Sequence, residues 1–276
     1  VNIQESKTGD NGGGGGIAAY STKVALERVA ITRSRAGKRG GGAVLLDGEA
    51  EVHMFDGMLN ENVAEKGGSG GHIHSAASTL VVHSKDSGMT WPQNNPIFPL
   101  EVELTSNDGT VMTQGVSSTS GGSVSCVASL SEEVLDIFTK KQDGSACLST
   151  LYQYKSELND TIQYACPSKG IYLGKGTRLL HSNALEGGAV SANLCAINIL
   201  NTTITKATAT SGDGGALLIS SGSTLKVDQK SIFSHNEAKK GMGDEEKGSG
   251  GAVSCQNCAS MKFNGNTIFR SNVARN

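Results

Sequence analysis

The sequence predicts an all-β fold, a right-handed parallel β-helix of roughly seven recognisable coils that carries two insertions. Three observations lead there. A glycine doublet returns at a regular spacing, an FxxNxA signature falls late in each unit, and the composition is rich in glycine but poor in proline and aromatics.

The doublets come first. Gly41-Gly42-Ala43-Val44, Gly187-Gly188-Ala189-Val190, Gly214-Gly215-Ala216-Leu217 and Gly250-Gly251-Ala252-Val253 share one form, two glycines followed by a small and an aliphatic residue. Gly14-Gly15-Gly16-Ile17, Gly70-Gly71-His72-Ile73 and Gly121-Gly122-Ser123-Val124 repeat it more loosely. Their first glycines stand at 14, 41, 70, 121, 187, 214 and 250, giving successive spacings of 27, 29, 51, 66, 27 and 36. The short values measure one coil; 51 and 66 mark coils interrupted by extra chain. Glycine suits a corner that needs positive φ or close backbone approach.

The second signature sits late in each unit. Phe233-Ser234-His235-Asn236-Glu237-Ala238 and Phe269-Arg270-Ser271-Asn272-Val273-Ala274 share it, and Leu59-Asn60-Glu61-Asn62-Val63-Ala64 repeats it with leucine first. Leu180-His181-Ser182-Asn183 keeps the first half, and residues 31–36 and 204–209 are degenerate copies. Leu225, Val227, Phe233 and Asn236 follow Gly215 at the same four offsets at which Met261, Phe263, Phe269 and Asn272 follow Gly251. The alternating pairs read as short strands with one face buried. Asn62, Asn183, Asn236 and Asn272 are expected to stack at a second corner, where their amides satisfy turn backbone groups.

Together the GGA[ILV] and FxxN elements resemble the repeats of the chlamydial polymorphic outer membrane proteins and of related secreted β-helix proteins in bacteria and algae. The resemblance spans most of the chain, while the long insertions and the cysteine pattern depart from that family. It implies a surface-exposed β-helical passenger, often adhesive.

Residues 1–276 therefore read as a single β-helix domain or a segment of a longer one, with insertions at 86–120 and 131–178. The first holds Trp91, Pro92, Pro96 and Pro99 and reads as a loop leaving the solenoid. The second offers a helix start at Ser131-Glu132-Glu133 and contains Cys147 and Cys166, a pair suited to pinning a lateral decoration. Neither end shows a polar or helical cap, so the reading is continuation of the solenoid or end-to-end self-association. Arg28, Arg33, Arg35, Lys38 and Arg39 near one end, and Asp244-Glu245-Glu246 near the other, are of opposite sign.

A net charge of −2 gives no general drive toward nucleic acid, and no apolar run approaches the length of a membrane span. The six cysteines, Cys126, Cys147, Cys166, Cys195, Cys255 and Cys258, form an even set suited to disulfides in an oxidising compartment. Cys255-Gln256-Asn257-Cys258 has zinc-ligand spacing but lacks a second CxxC or a histidine pair. Asn159-Asp160-Thr161 and Asn201-Thr202-Thr203 are N-glycosylation acceptors. All of this fits an extracellular or cell-surface protein.

Parallel β-helices also house polysaccharide lyases and hydrolases, which need clustered carboxylates on one face. Asp47, Glu49 and Glu51 come nearest, with Gly48 interrupting their alternation. His72 and His74 alternate about Ile73 and, with His53 or His83, form the one candidate metal set. Thr203, Thr205, Thr208 and Thr210 mark a single threonine-rich coil. No catalytic motif, cofactor fingerprint or metal set is complete. The reading is therefore not an enzyme but a rigid structural element of a filament, appendage or adhesive stalk, or else an adhesin-type module for a glycan or protein ligand.

Overall fold

The structure, a computed structural model, describes residues 1–83, 110–127, 152–155, 162–165, 170–228, 230–239 and 248–275. Apart from one hairpin, every strand among them belongs to one of four parallel sheets, three of seven strands and one of eight, and no helix occurs among the described residues. The chain passes through the sheets in turn. In coil 1 it forms Ile17–Tyr20 in sheet 1, Lys23–Glu27 in sheet 2, Ala30–Thr32 in sheet 3 and Arg35–Ala36 in sheet 4. It then returns to sheet 1 with Val44–Asp47, which pairs in parallel with Ile17–Tyr20. Seven such coils, preceded by the strand Asn2–Gln4 in sheet 3, make a parallel β-helix.

The registers bear out the repeat arithmetic. Leu225 pairs with Met261, Val227 with Phe263 and Phe233 with Phe269, each one coil apart. Alternation inside each strand then fills the bore. Val52 and Met54, Leu80 and Val82, Ile171 and Leu173, and Ile197 and Ile199 line the inner face of sheet 2 in consecutive coils, all essentially inaccessible. Across the bore, Ile31, Leu59, Met112, Leu179, Ile204 and Phe233 form the matching column of sheet 3. Each side chain stacks on its equivalent about 4.8 Å away, so one aliphatic column costs little shape matching.

Both insertions are shorter than the sequence suggests. Val111–Thr113 and Val116–Ser117 are regular strands of sheets 3 and 4, so residues 110–120 belong to coil 3. Gly170–Leu173 likewise belongs to sheet 2 and Arg178–Leu180 to sheet 3, so residues 170–178 belong to coil 4. Val111-Met112-Thr113 alternates as a strand should and Gly121-Gly122 follows at the usual distance, but Gly115 stands where Asn62, Asn236 and Asn272 mark other coils. Inside the second insertion, Tyr152–Lys155 and Ile162–Ala165 pair as an antiparallel hairpin. The helix start at Ser131, the turn-rich stretch about Trp91, Asn159 and the acidic run 244–246 lie outside the described residues.

Candidate functional site

The feature that recurs in every coil is the pair of inner corners, and its chemistry follows from the backbone. The first glycine of each doublet has φ between +56° and +70°, the left-handed region that glycine enters without penalty. The second is required by space. A Cβ at Gly42 would collide with the Gly71 carbonyl of the next coil and with the Val63 backbone, and Gly188 stands in the same position against Gly215 and Thr208. Corner amides bond along the axis, as Gly41 N does to Ser69 O (3.0 Å) and Gly42 N to Gly70 O (3.2 Å).

The asparagine corner works as expected at three positions. Buried Asn62 accepts from Ser34 N (2.9 Å) and donates to Ile31 O (2.9 Å), both one coil away. Asn236 accepts from Ala207 N (3.0 Å) and donates to Ile204 O (3.2 Å) and Asn272 Oδ1 (2.9 Å), while Asn272 donates to Phe233 O (2.9 Å). These amides therefore close backbone groups that no strand ladder reaches.

Asn183 does not join this row. Leu179, not Leu180, is the inward residue of its strand, so the row passes through Ser182 and leaves Asn183 exposed beside Val116 and Thr208. A one-residue slip exchanges the faces of a strand, and two adjacent leucines leave that choice open in the sequence. Ser182 instead bonds to Ser123 Oγ. In coil 3 the row holds Gly115.

A further row carries no shared chemistry and was missed. Between sheets 3 and 4 a single residue turns each corner with φ from +51° to +57°: Glu5, Arg33, Glu61, Gln114, His181, Lys206, His235 and Ser271. Left-handed backbone at a non-glycine residue costs about 1–2 kcal/mol, offset here by axial bonds such as His181 N to Thr205 O and Lys206 N to Ser234 O, each 3.1 Å. The one sequence signal is position, directly before the asparagine row.

The carboxylates and histidines weighed as incomplete catalytic and metal sets are dispersed. Gly48 and Glu49 turn the corner with φ of +61° and +70°, which sends Asp47 to the outside of sheet 1 and Glu51 to the outside of sheet 2. Asp47 is paired with Arg39, whose guanidinium lies 5.3 Å from the Tyr20 ring centroid. Glu51 takes Lys23 at 3.1 Å and His53 at 2.8 Å. Burial would raise the Glu51 carboxyl, but these two partners hold it below its ordinary value. In His53 burial dominates and lowers the imidazole despite Glu51.

His72 points into the bore, with no accessible surface, and burial pushes it down to about 3. His74 sits outside sheet 1, where burial lowers it to about 4 despite Asp47. His53, His72 and His74 thus occupy three different faces, the side chain of His83 lies outside the described residues, and the described residues hold no cluster suited to a metal ion.

Two disulfides are present among the described residues. Cys255–Cys258 spans one corner of coil 7, which is the fate of the CxxC spacing. Cys126–Cys195 joins coil 4 to coil 5 and is almost fully buried. It stands at the root of the second insertion. In coil 4 residues 128–169 replace the corner between sheets 1 and 2, and Cys195, from that corner of coil 5, reaches back to Cys126. The expected Cys147–Cys166 pairing lies outside the described residues.

The first insertion leaves after Thr79–His83 and the second rejoins at Gly170–Leu173, two paired neighbours in sheet 2. Asn201 lies half-buried at the corner entering sheet 3 with φ +44°.

The basic group near the first coil is largely neutralised. Arg33 pairs with Glu5 (3.0 Å), Arg35 with Glu65 (2.8 Å) and Arg28 with Glu27 (3.7 Å). No helix among the described residues is long and apolar enough to cross a membrane. Comparison with known protein families, with curated proteins and with solved structures yields no match.

Proposed function

We propose that the protein is a rigid extracellular structural element, a β-helical segment or subunit of a filament, surface appendage or adhesive stalk. One observation supports this most. The same corner bonds and the same strand registers recur through seven coils, so backbone hydrogen bonds run along the axis throughout. Extending such a rod means breaking several backbone bonds per coil at once. Disulfides fit an oxidising compartment, and the resemblance of the repeats to surface-exposed β-helical passengers points the same way. In this reading the chain works without a cofactor and without chemistry of its own.

A second reading, an adhesin-type module, draws on the insertion roots, which flank one strand pair of sheet 2. Electron microscopy of native material, labelled with an antibody to the chain, tests the first reading. Labelled fibres with an axial spacing of about 4.8 Å support it. Label confined to isolated globules contradicts it and moves the weight to the binding module.

A further inference from the structure

The outside of sheet 3 changes character along the rod. From the first strand through coil 3 this sheet and its corners carry both signs, with Glu5, Arg28, Arg33, Asp56 and Glu61. In coils 4 to 7 the strands Arg178–Leu180, Thr203–Thr205, Ile232–Ser234 and Ile268–Arg270 are consecutive neighbours. With their flanking corners they comprise residues 175–182, 201–207, 230–236 and 264–272, which contain five Lys or Arg, two His and no Asp or Glu. The chain as a whole has a net charge of −2, so this face is a local excess.

The cations lie at the surface. Lys175, Arg178, Lys206, Lys230 and Arg270 are all exposed. Of these, Lys175, Lys206, Lys230 and Arg270 make no ion pair among the described residues. The acids bordering the face are already engaged, Asp228 by Lys226 (2.8 Å) and Glu237 by Lys239 (3.7 Å) and Arg275. His181, Lys206 and His235 turn the same corner in consecutive coils and so rise about 4.8 Å per residue. Thr203 and Thr205 place half-buried hydroxyls between the cation rows.

We propose that this face binds an acidic polysaccharide laid along the axis, its carboxylates or sulfates against the rows of Lys, Arg and His. Charge complementarity selects a polyanion. The axial rise selects an extended chain, because a pyranose polymer advances by roughly one sugar for each coil of about 4.8 Å. Disulfides fit an oxidising compartment, where polysaccharides are met more often than nucleic acids. The proposal rests on the fold and its charges, and is independent of the mechanical reading.

The test is binding to immobilised polygalacturonate at low salt, with protein made in the bacterial periplasm so that Asn201 carries no glycan. The unmodified chain is expected to bind and to be released by salt. The triple variant Lys206→Glu, Lys230→Glu, Arg270→Glu is expected to lose about tenfold or more in affinity. A control with Lys7→Glu, Lys38→Glu and Lys66→Glu, the same charge change on other faces, keeps affinity within about twofold. Circular dichroism establishes that each variant is folded, and single reversals replace the triple one if it is not. Absence of binding, equal loss in both triple variants, or tighter binding to duplex DNA or anionic vesicles than to polygalacturonate overturns the proposal.

Discussion

His72 Nδ1 lies 3.0 Å from Asn62 Nδ2 inside the bore, so a buried imidazole accepts from the corner amide one coil away. In the other coils the position of His72 is held by Gly16, Ala43, Ser123, Ala189, Ala216 and Ala252. The ring fits because coil 3 has Gly115 where coils 2, 6 and 7 have asparagine. A Cβ at Gly115 would meet His72 Cδ2 at 2.7 Å and Nε2 at 2.8 Å. Large beside small replaces small beside large at constant volume.

This complementarity predicts coupling. Gly115→Ala should destabilise by about 2 kcal/mol or more through overpacking, measured by urea denaturation. His72→Ala in the same chain should recover part of that loss. Recovery is partial because the Gly122 carbonyl also meets the new methyl group. Additive losses in the double variant would show that the two residues do not share this space.

The buried histidines predict acid sensitivity at a defined pH. His72 drops from 6.5 to about 3 and His74 from 6.5 to about 4 on folding. The unfolded chain therefore takes up these protons first. Stability from the neutral rings is full above about pH 6.5 and falls as pH drops toward 4 and then 3, by about 1.4 kcal/mol per unit for each histidine. Unfolding midpoints between pH 7 and about 4.5, above most carboxylate titration, should shift downward, and His72→Gln should remove part of the slope. A flat profile over that window would refute the burial of both rings.

The asparagine row can be separated from its look-alike. Asn236→Ala leaves Ala207 N and Ile204 O buried without their partner and should cost about 2–4 kcal/mol. Asn183→Ala, on an exposed strand face, should change stability by less than about 0.5 kcal/mol. Thermal melts of the two variants decide the register, and equal losses would restore Asn183 to the row.

The two disulfides should differ in weight. Cys126 and Cys195 are 69 residues apart and Cys255 and Cys258 only 3. Loop-closure entropy then assigns about 4 kcal/mol to the first and about 1.5 kcal/mol to the second. Double alanine variants compared by urea denaturation test the order. A larger loss from Cys255→Ala with Cys258→Ala would contradict it.

Much of the solenoid is legible in the sequence because its constraints are local and repeated. Gly41 and Gly42 announce a corner wherever they recur, and Phe233 and Phe269 fix a column by equal offsets. What the sequence hides is whatever lacks a residue-type requirement. The corner row from Glu5 to Ser271 is set by backbone position alone, and Leu179 and Leu180 look equivalent until one is placed inward. The interior fate of His72 depends on Gly115, some forty residues later in the chain and beyond an insertion, which no local pattern connects.

Seven coils form one continuous stack, and the proposed role has that stack carry load along its axis. Stretching single molecules held at the two ends, with the disulfides reduced, tests it most directly. A continuous stack should show no lengthening at low force and then stepwise release, each step close to one coil of chain, or about 100 Å for the 27- to 29-residue coils. Gradual extension from the lowest forces, or release of the whole chain in one weak event, would contradict it.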